Sequence, residues 1–514
     1  MSDKTTGSFY TPYKLIEYMV EYIKQRDNPK SILEPSAGDG RFVTPLESYS
    51  RPITLVENDQ AKAKELQNNY SEKCSVYSAD FLDFAFDAKE QFDLIIGNPP
   101  YIPKKTLPQV QRDKSKKLIE HFSLDLAIFQ NIWVSFILGS IKVLSSTGSI
   151  FFVLPFEFLQ VQYAEKLRNF LEEKFNTIEI TTFERRVFTE IEQDICLVYL
   201  SNKFNAKPYI QYTTLNSDSD PKVVFQSIIE RNKPLSKWSN CILNDLETDR
   251  LLDISNCFPK ISTFGDISPG IVTGANSFFS LSYEEMKKLN VPDKNQLPIL
   301  MKSSDIPPLL LFTEQDFLAI SISKSRSQLL RLTGWSQSDF PSELKKYLKA
   351  GKKKNIHKRY KCKNRKRWYD VPIVATGDVC FFKRYDALPR LIVNVAGVHT
   401  TDIAYNIRLK KDTDASSFAF CFYNSLTLAM CEYTGRFYGG GVGELVPSEF
   451  KAICIPYRAI AKEQVYKLDE MIRSKKNVQD IIDYVDSIVL SDLSQEEVTL
   501  LRNIRNRYIT RRIR

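Results

Sequence analysis

Residues 31–43 read SILEPSAGDGRFV: a short apolar run that closes on an acid, a turn holding Gly38 and Gly40, then the start of a helical pattern. Glycine accepts positive φ and lets another group approach the backbone, while a helix opening just after the turn aims unpaired amide donors at whatever sits there. Taken alone, the segment fits a ligand-binding turn and an ordinary strand-to-helix turn equally well. Its surroundings decide the fold. The runs ITLVE (53–57), CSVYS (74–78), FDLIIG (92–97), SIFFVL (149–154), TIEIT (177–181) and ICLVYL (195–200) alternate with helical patterns, as parallel strands joined by crossover helices do. A doubly wound, Rossmann-like α/β sheet is expected over the first 200 residues, with its ligand beyond the carboxyl ends of the strands.

Every unusual residue of this half falls at such an end. Glu34 closes the first strand, and Glu57 closes the second, where a carboxylate accepts from ribose hydroxyls in nucleotide-binding sheets, although a surface acid looks the same. Asp80 and Phe81 follow the third strand, an acid beside an aromatic that suits the amino group and face of an adenine ring. The fourth strand ends in Asn98-Pro99-Pro100-Tyr101. Two consecutive prolines carry no amide hydrogen and fix φ, so they leave a rigid strand end with its carbonyls directed into the cleft.

The chain has 514 residues and a net charge of +9, long enough for two domains that each bury a core. Residues 1–200 hold 23 Lys and Arg against 28 Asp and Glu, whereas the remainder holds 48 against 34. The basic excess is C-terminal, which fits either a half that meets a polyanion or a solubilising surface. Nine cysteines, an odd number without a C-x-x-C pair, argue against a disulfide framework and a Cys-rich zinc site, in keeping with a reducing cytoplasm. The N-terminal MSDKTTG shows no signal-peptide core. Leu126 to Leu144, interrupted by Gln130, Asn131 and Lys142, reads as a buried helix and not as a membrane span. After residue 205 the alternation fades, and TTLNSDSDPK (213–222) suggests a linker reaching to about 245. The expected division is a catalytic domain over 1–240 and a second domain over 241–514 with a helical, basic C-terminal tail.

The four strand tips, preceded by GSFYTP (7–12), resemble the gamma-class N6-adenine DNA methyltransferases of restriction–modification systems, the TaqI-like enzymes. The resemblance covers residues 7 to about 200 closely and the rest loosely. It implies an S-adenosylmethionine (AdoMet) methyltransferase domain followed by a mixed α+β target-recognition domain. It also implies that Thr11, Pro12, Glu34, Gly38 and Gly40 line the methionine moiety of AdoMet, that Glu57 holds the ribose, and that Asp80 and Phe81 hold the adenine. Phe129 would close the other face of that ring, with a core position as the competing reading. Phe188, in RRVFTEIEQDICLVYL (185–200), would stack on the target base, although Thr189 stands where family members often carry proline.

The chemistry explains these residue types. An adenine amine is a poor nucleophile because its lone pair is delocalised, so activation must act on the amine. The Asn98 side-chain oxygen and the Pro99 carbonyl can each accept one N–H and favour the tetrahedral nitrogen of in-line attack. Neither a metal nor a histidine base is required, and His121, His357 and His399 lie far from these motifs in sequence. A base in a duplex must flip out to reach the cleft, and stacking on Tyr101 and Phe188 offsets that cost.

In the second half, 13 of the residues 345–367 are Lys or Arg, followed by Trp368 and Tyr369. Lys353, Lys354, Lys358, Arg359, Arg365 and Arg367 are expected on phosphates, as are Lys104 and Lys105 after the NPPY segment, with a solvated face as the plain alternative. Gly439 to Gly441 suit a phosphate cradle or a simple turn. The partners implied are double-stranded DNA, bound by a monomer, and a cognate restriction endonuclease. Two other functions compete: a non-catalytic DNA-binding subunit of a phage-defence system, and a protein glutamine methyltransferase, whose usual N-terminal helical domain has no counterpart before residue 31.

Overall fold

The computed structural model describes residues 10–184, 194–203, 207–217, 221–231, 235–323, 326–438 and 440–513. The chain forms two compact units that part after Leu246. In chain order the first unit contains α1 (Tyr13–Lys24), β1 (Ile32–Glu34), α2 (Val43–Leu46), β2 (Ile53–Glu57), α3 (Gln60–Tyr70), β3 (Cys74–Ser78), α4 (Phe81–Asp87) and β4 (Phe92–Gly97). It continues with α5 (Gln109–His121), α6 (Trp133–Val143), β5 (Leu144–Pro155), α7 (Glu165–Lys174), β6 (Thr177–Phe183), β7 (Ile195–Ser201), β8 (Tyr209–Leu215) and β9 (Val223–Glu230).

These strands make one sheet in the order β3-β2-β1-β4-β5-β7-β6-β8-β9. Strands β3 to β5 are mutually parallel, and β7 enters antiparallel between β5 and β6. The strand order reverses between β1 and β4, the switch point beyond which a doubly wound sheet binds its ligand. Strands β6 and β7 are buried at every residue, because helices cover both faces of the interior of such a sheet; β7 accordingly carries the apolar run ICLVYL, whereas β6 buries Thr177, Glu179, Thr181 and Thr182 among its apolar residues. The edge strand β3 is buried only at Cys74. Helix α1 buries Leu15, Ile16, Met19, Val20 and Ile23 on one stripe, the spacing of a surface helix against a sheet. Every residue of α6 except Lys142 is buried, so the apolar run is an internal helix, and among the described residues no helix is long and apolar enough to cross a membrane.

The structure departs from the sequence reading after residue 205. The polar stretch is no linker: β8 pairs in parallel with β6, and β9 pairs antiparallel with β8, extending the sheet. A 3-10 turn at Trp238–Ile242 follows, with the Trp238 indole donating to Glu172 of α7 at 2.6 Å. The burial of Trp238 and the pairing of β8 draw the segment into the first unit despite its polar composition.

The second unit is mixed α+β. It holds a five-stranded sheet of Gly265–Pro269, Ala404–Leu409, Val379–Phe382, Arg390–Asn394 and Leu311–Phe312, and a four-stranded one of Ser280–Leu281, Gln328–Leu330, Gln296–Leu300 and His399–Thr400. Three helices, Lys462–Arg473, Val478–Val489 and Gln495–Arg512, close the chain.

Candidate active site and nucleic-acid interface

The tips of β1, β2 and β4 and the turn after β3 converge on one cavity of about 420 Å³. Its wall includes Thr11, Glu34, Gly38, Glu57, Asp80, Phe81, Asn98 and Pro99. The turn after β1 is shaped by Gly38 at φ +58° and Gly40 at φ +76°, values that side chains on Cβ disfavour. At Gly40 a Cβ would also come within 2.6 Å of Leu66. The Gly38 amide donates to Glu57 Oε2 at 2.8 Å, and the Asp59 amide to Oε1 at 2.8 Å. Both Glu57 oxygens are thus oriented by backbone, leaving lone pairs for a ligand hydroxyl.

Glu34 is 2% exposed, and its Oε2 is buried without a hydrogen-bond partner among the described residues. Burial, reinforced by the charges of Asp39 and then Glu57, holds its carboxyl well above the usual carboxylate range. An acid left in that state on a cavity wall is prepared for a cation: an ammonium group supplies both the missing hydrogen bonds and the missing charge.

Asp80 N-caps α4 by accepting from Leu82 N at 2.8 Å. Its other oxygen is met by α5, through Gln111 Nε2 at 2.5 Å and Lys114 Nζ at 2.8 Å. Helix α5 therefore walls the cavity beside Asp80, and an adenine amino group there would share the carboxylate with these two donors. Phe81 lines the cavity with its ring centroid 5.0 Å from that of Phe136 on α6. Phe129 is fully buried, carries the Lys104 ammonium 5.1 Å from its ring centroid, and is absent from the cavity wall. The aromatic that α6 presents to the cavity is Phe136, which the sequence reading missed; its signal is its place one turn into the helix.

Asn98 follows β4. Its Nδ2 donates to Thr11 Oγ1 at 3.1 Å, and its backbone carbonyl accepts from Ser36 Oγ at 3.2 Å. Pro12 lies next to Thr11 as the residue before α1. Tyr101 is 7% exposed, its hydroxyl donating to Val153 O of β5 at 3.0 Å, and burial raises its pKa well above the ordinary value. The phenol is thus an anchor that fixes the ring and is not an acid or base. Phe188 lies outside the described residues.

In the second unit the basic stretch divides into two kinds of residue. Lys353 and Lys354, at the end of the helix Ser342–Lys353, and Lys358 and Arg359 just beyond are exposed. Arg365 and Arg367 are not available to phosphates in this way. Arg365 donates to Val272 O at 3.0 Å and Thr273 O at 2.8 Å, and Arg367 to Leu332 O and Trp335 O at 2.8 Å while pairing with Asp370. Their guanidiniums tie loops together because a planar fork of five donors satisfies several carbonyls at once. Lys105 is exposed and Lys104 half-buried. In the glycine cluster, Gly439 lies outside the described residues, and a Cβ on Gly441 would come 2.2 Å from Arg512 O. Gly441 thus permits close packing on the C-terminal helix, where Arg512 donates back to its carbonyl at 2.5 Å.

Residues 41–188 match the model of the Eco57I restriction-modification methylase family, and residues 235–490 match that of the type II methyltransferase M.Eco57I C-terminal domain. The type II methyltransferase M.AccI of Acinetobacter calcoaceticus is 23% identical over 96% of this chain and 95% of its own length. M.HindII of Haemophilus influenzae is 26% identical over 55% of this chain and 57% of its own. Among solved structures, the type IIL restriction–modification enzyme MmeI in complex with DNA shares the fold, with a TM-score of 0.56 at 12% identity over 96% of this chain and 75% of that one.

Proposed function

The chain belongs to the type II restriction–modification methyltransferases, and from that premise we propose that it moves the methyl group of AdoMet to the N6 amine of an adenine flipped out of duplex DNA. The observation that carries this reading is the shared wall: Asn98 and Pro99 stand on the same cavity as Glu34, Glu57, Asp80 and Phe81. The unpartnered buried oxygen of Glu34 fits the methionine ammonium, Glu57 the ribose, and Asp80 with Phe81 and Phe136 the adenine.

When bound, AdoMet supplies an electrophilic methyl group: the N–C bond forms as the C–S bond breaks, sulfur keeps the electron pair, and the amine nitrogen sheds one proton to water. Asn98 Oδ1 and Pro99 O accept hydrogen bonds from the two amine N–H groups, favouring a tetrahedral nitrogen whose lone pair is withdrawn from conjugation with the ring, an interaction that strengthens as positive charge develops on nitrogen. Tyr101, held by its hydroxyl, and Phe188 are the aromatics that stack on the target base. The second unit recognises the DNA site, with Lys353, Lys354, Lys358 and Arg359 on phosphates and Lys104 and Lys105 assisting from the first. The protein works in the cytoplasm as a monomer on DNA, and a cognate endonuclease reads the same site.

Incubation of the protein with duplex DNA and tritiated AdoMet should place label in N6-methyladenine within one short motif. Asn98→Ala should bind both substrates and transfer methyl groups about 100-fold more slowly. Label confined to cytosine or to protein overturns the proposal.

A further inference from the structure

We infer that Thr11 is a positioning residue for the Asn98 carboxamide, in addition to any contact with the cofactor; the inference rests on the assignment of Asn98 to the amine. The terminal torsion of an asparagine is broad and nearly two-fold, so an amide without a fixed partner samples several planes. Here the nitrogen end of Asn98 is tied to Thr11 Oγ1 at 3.1 Å and the backbone carbonyl to Ser36 Oγ at 3.2 Å. With the nitrogen end held at Thr11, the plane of the amide, and with it the direction of Oδ1, is set.

The tie is itself anchored. Thr11 is 2% exposed, and its carbonyl accepts from Arg41 Nη1 at 2.9 Å. Arg41 in turn grips Asp39 of the glycine turn through Nε at 2.9 Å and Nη2 at 2.6 Å, and its guanidinium lies 4.7 Å from the Tyr10 ring centroid and 5.3 Å from that of Tyr13. The segment before α1 is thereby bolted to the glycine turn, and through Thr11 to the tip of β4. A preorganised acceptor need not be reoriented as the transition state forms, and that saving appears in turnover, not in substrate binding.

The test compares the full-length wild type with Thr11→Val, which keeps shape and removes the acceptor, with Thr11→Ser, which retains it, and with Asn98→Ala alone and combined with Thr11→Val. Thr11→Val should lower kcat about 3- to 10-fold, the scale of one neutral hydrogen bond, with KM for AdoMet unchanged, and Thr11→Ser should restore turnover. In the Asn98→Ala background Thr11→Val should have no further effect on kcat. A raised AdoMet KM with normal kcat, or equal losses with and without Asn98, overturns the positioning role while leaving the reading of the site intact. Normal turnover by Asn98→Ala overturns both. If Thr11→Val melts early, an inactive Thr11→Ser protein that melts normally is decisive against the role.

Discussion

Replacing Glu34 by glutamine should make the ligand-free protein more stable and the cofactor complex weaker. In the free protein the carboxyl is buried at the tip of β1 with one oxygen unpartnered among the described residues, and burial together with Asp39 and Glu57 favours its protonated form. The unfolded chain releases this proton near the ordinary value of 4.5, while the folded chain holds it to higher pH. Above that value the native state binds more protons than the unfolded state, so this group's contribution to stability falls as pH rises until the folded-state value is passed. Glutamine removes the slope. A buried polar group without a partner costs about 1–3 kcal/mol, and more when charged; at ~2–4 °C per kcal/mol for a domain of this size, the variant should melt several degrees above wild type at pH 8 and level with it at pH 4. Calorimetric titration with AdoMet should show the opposite sign, an affinity loss of about 10- to 100-fold, since a charge-assisted hydrogen bond is worth about 1.5–3 kcal/mol. A variant that melts no higher than wild type at pH 8, or that binds AdoMet with undiminished affinity, refutes the reasoning.

Neutralising Lys353, Lys354, Lys358 and Arg359 together should reduce the slope of log binding constant against log salt by about 3 to 4 on duplex DNA; an unchanged slope removes these residues from the phosphate interface. Arg365→Met and Arg367→Met should each lower stability by ~1–3 kcal/mol through the carbonyls left unpaired, seen as lower melting temperatures with little change in that slope. Phe136→Ala should weaken AdoMet binding by about tenfold through lost stacking. Phe129→Ala should instead lower stability by ~3–5 kcal/mol as a core cavity, and titration and melting of the two variants separate the roles.

The sheet was legible because short runs rich in β-branched and apolar residues alternate with helical patterns: ITLVE, CSVYS and FDLIIG coincide with β2, β3 and β4 residue for residue, even though β3 at the sheet edge is buried only at Cys74. The strand tips were legible for a related reason, since a doubly wound sheet brings its chemistry to a few fixed points in sequence. What stayed hidden depends on three-dimensional partners. The strands β8 and β9 read as a linker because Thr213, Thr214 and their polar neighbours carry no strong pattern, although pairing with β6 buries both threonines. Phe129 and Phe136 are both apolar positions around a buried helix, where periodicity cannot distinguish the aromatic facing a cavity from the one facing the core. Arg365 and Arg367 look like their exposed neighbours in sequence, and only the nearby carbonyls of Thr273 and Leu332 reveal their structural work. The contacts of Asp80 with Gln111 and Lys114 join residues about thirty positions apart and have no sequence signature.

The contact of Trp238 with Glu172 of α7, together with the neighbouring Arg168 of the same helix, bears on where the chain can be cut. This arginine is fully buried and donates to Phe158 O at 2.7 Å, Val161 O at 3.1 Å and Ser236 O. Among the described residues no carboxylate hydrogen-bonds to it, and burial lowers its pKa to about 10, so backbone carbonyls are what satisfy the guanidinium inside the protein. A truncation ending before Ser236 would remove one of the acceptors of Arg168, whereas one ending past Leu243 keeps the set and also retains Trp238 against Glu172. The polar appearance of residues 213–222 invites the first choice for isolating a catalytic fragment; the acceptors of the buried guanidinium argue for the second.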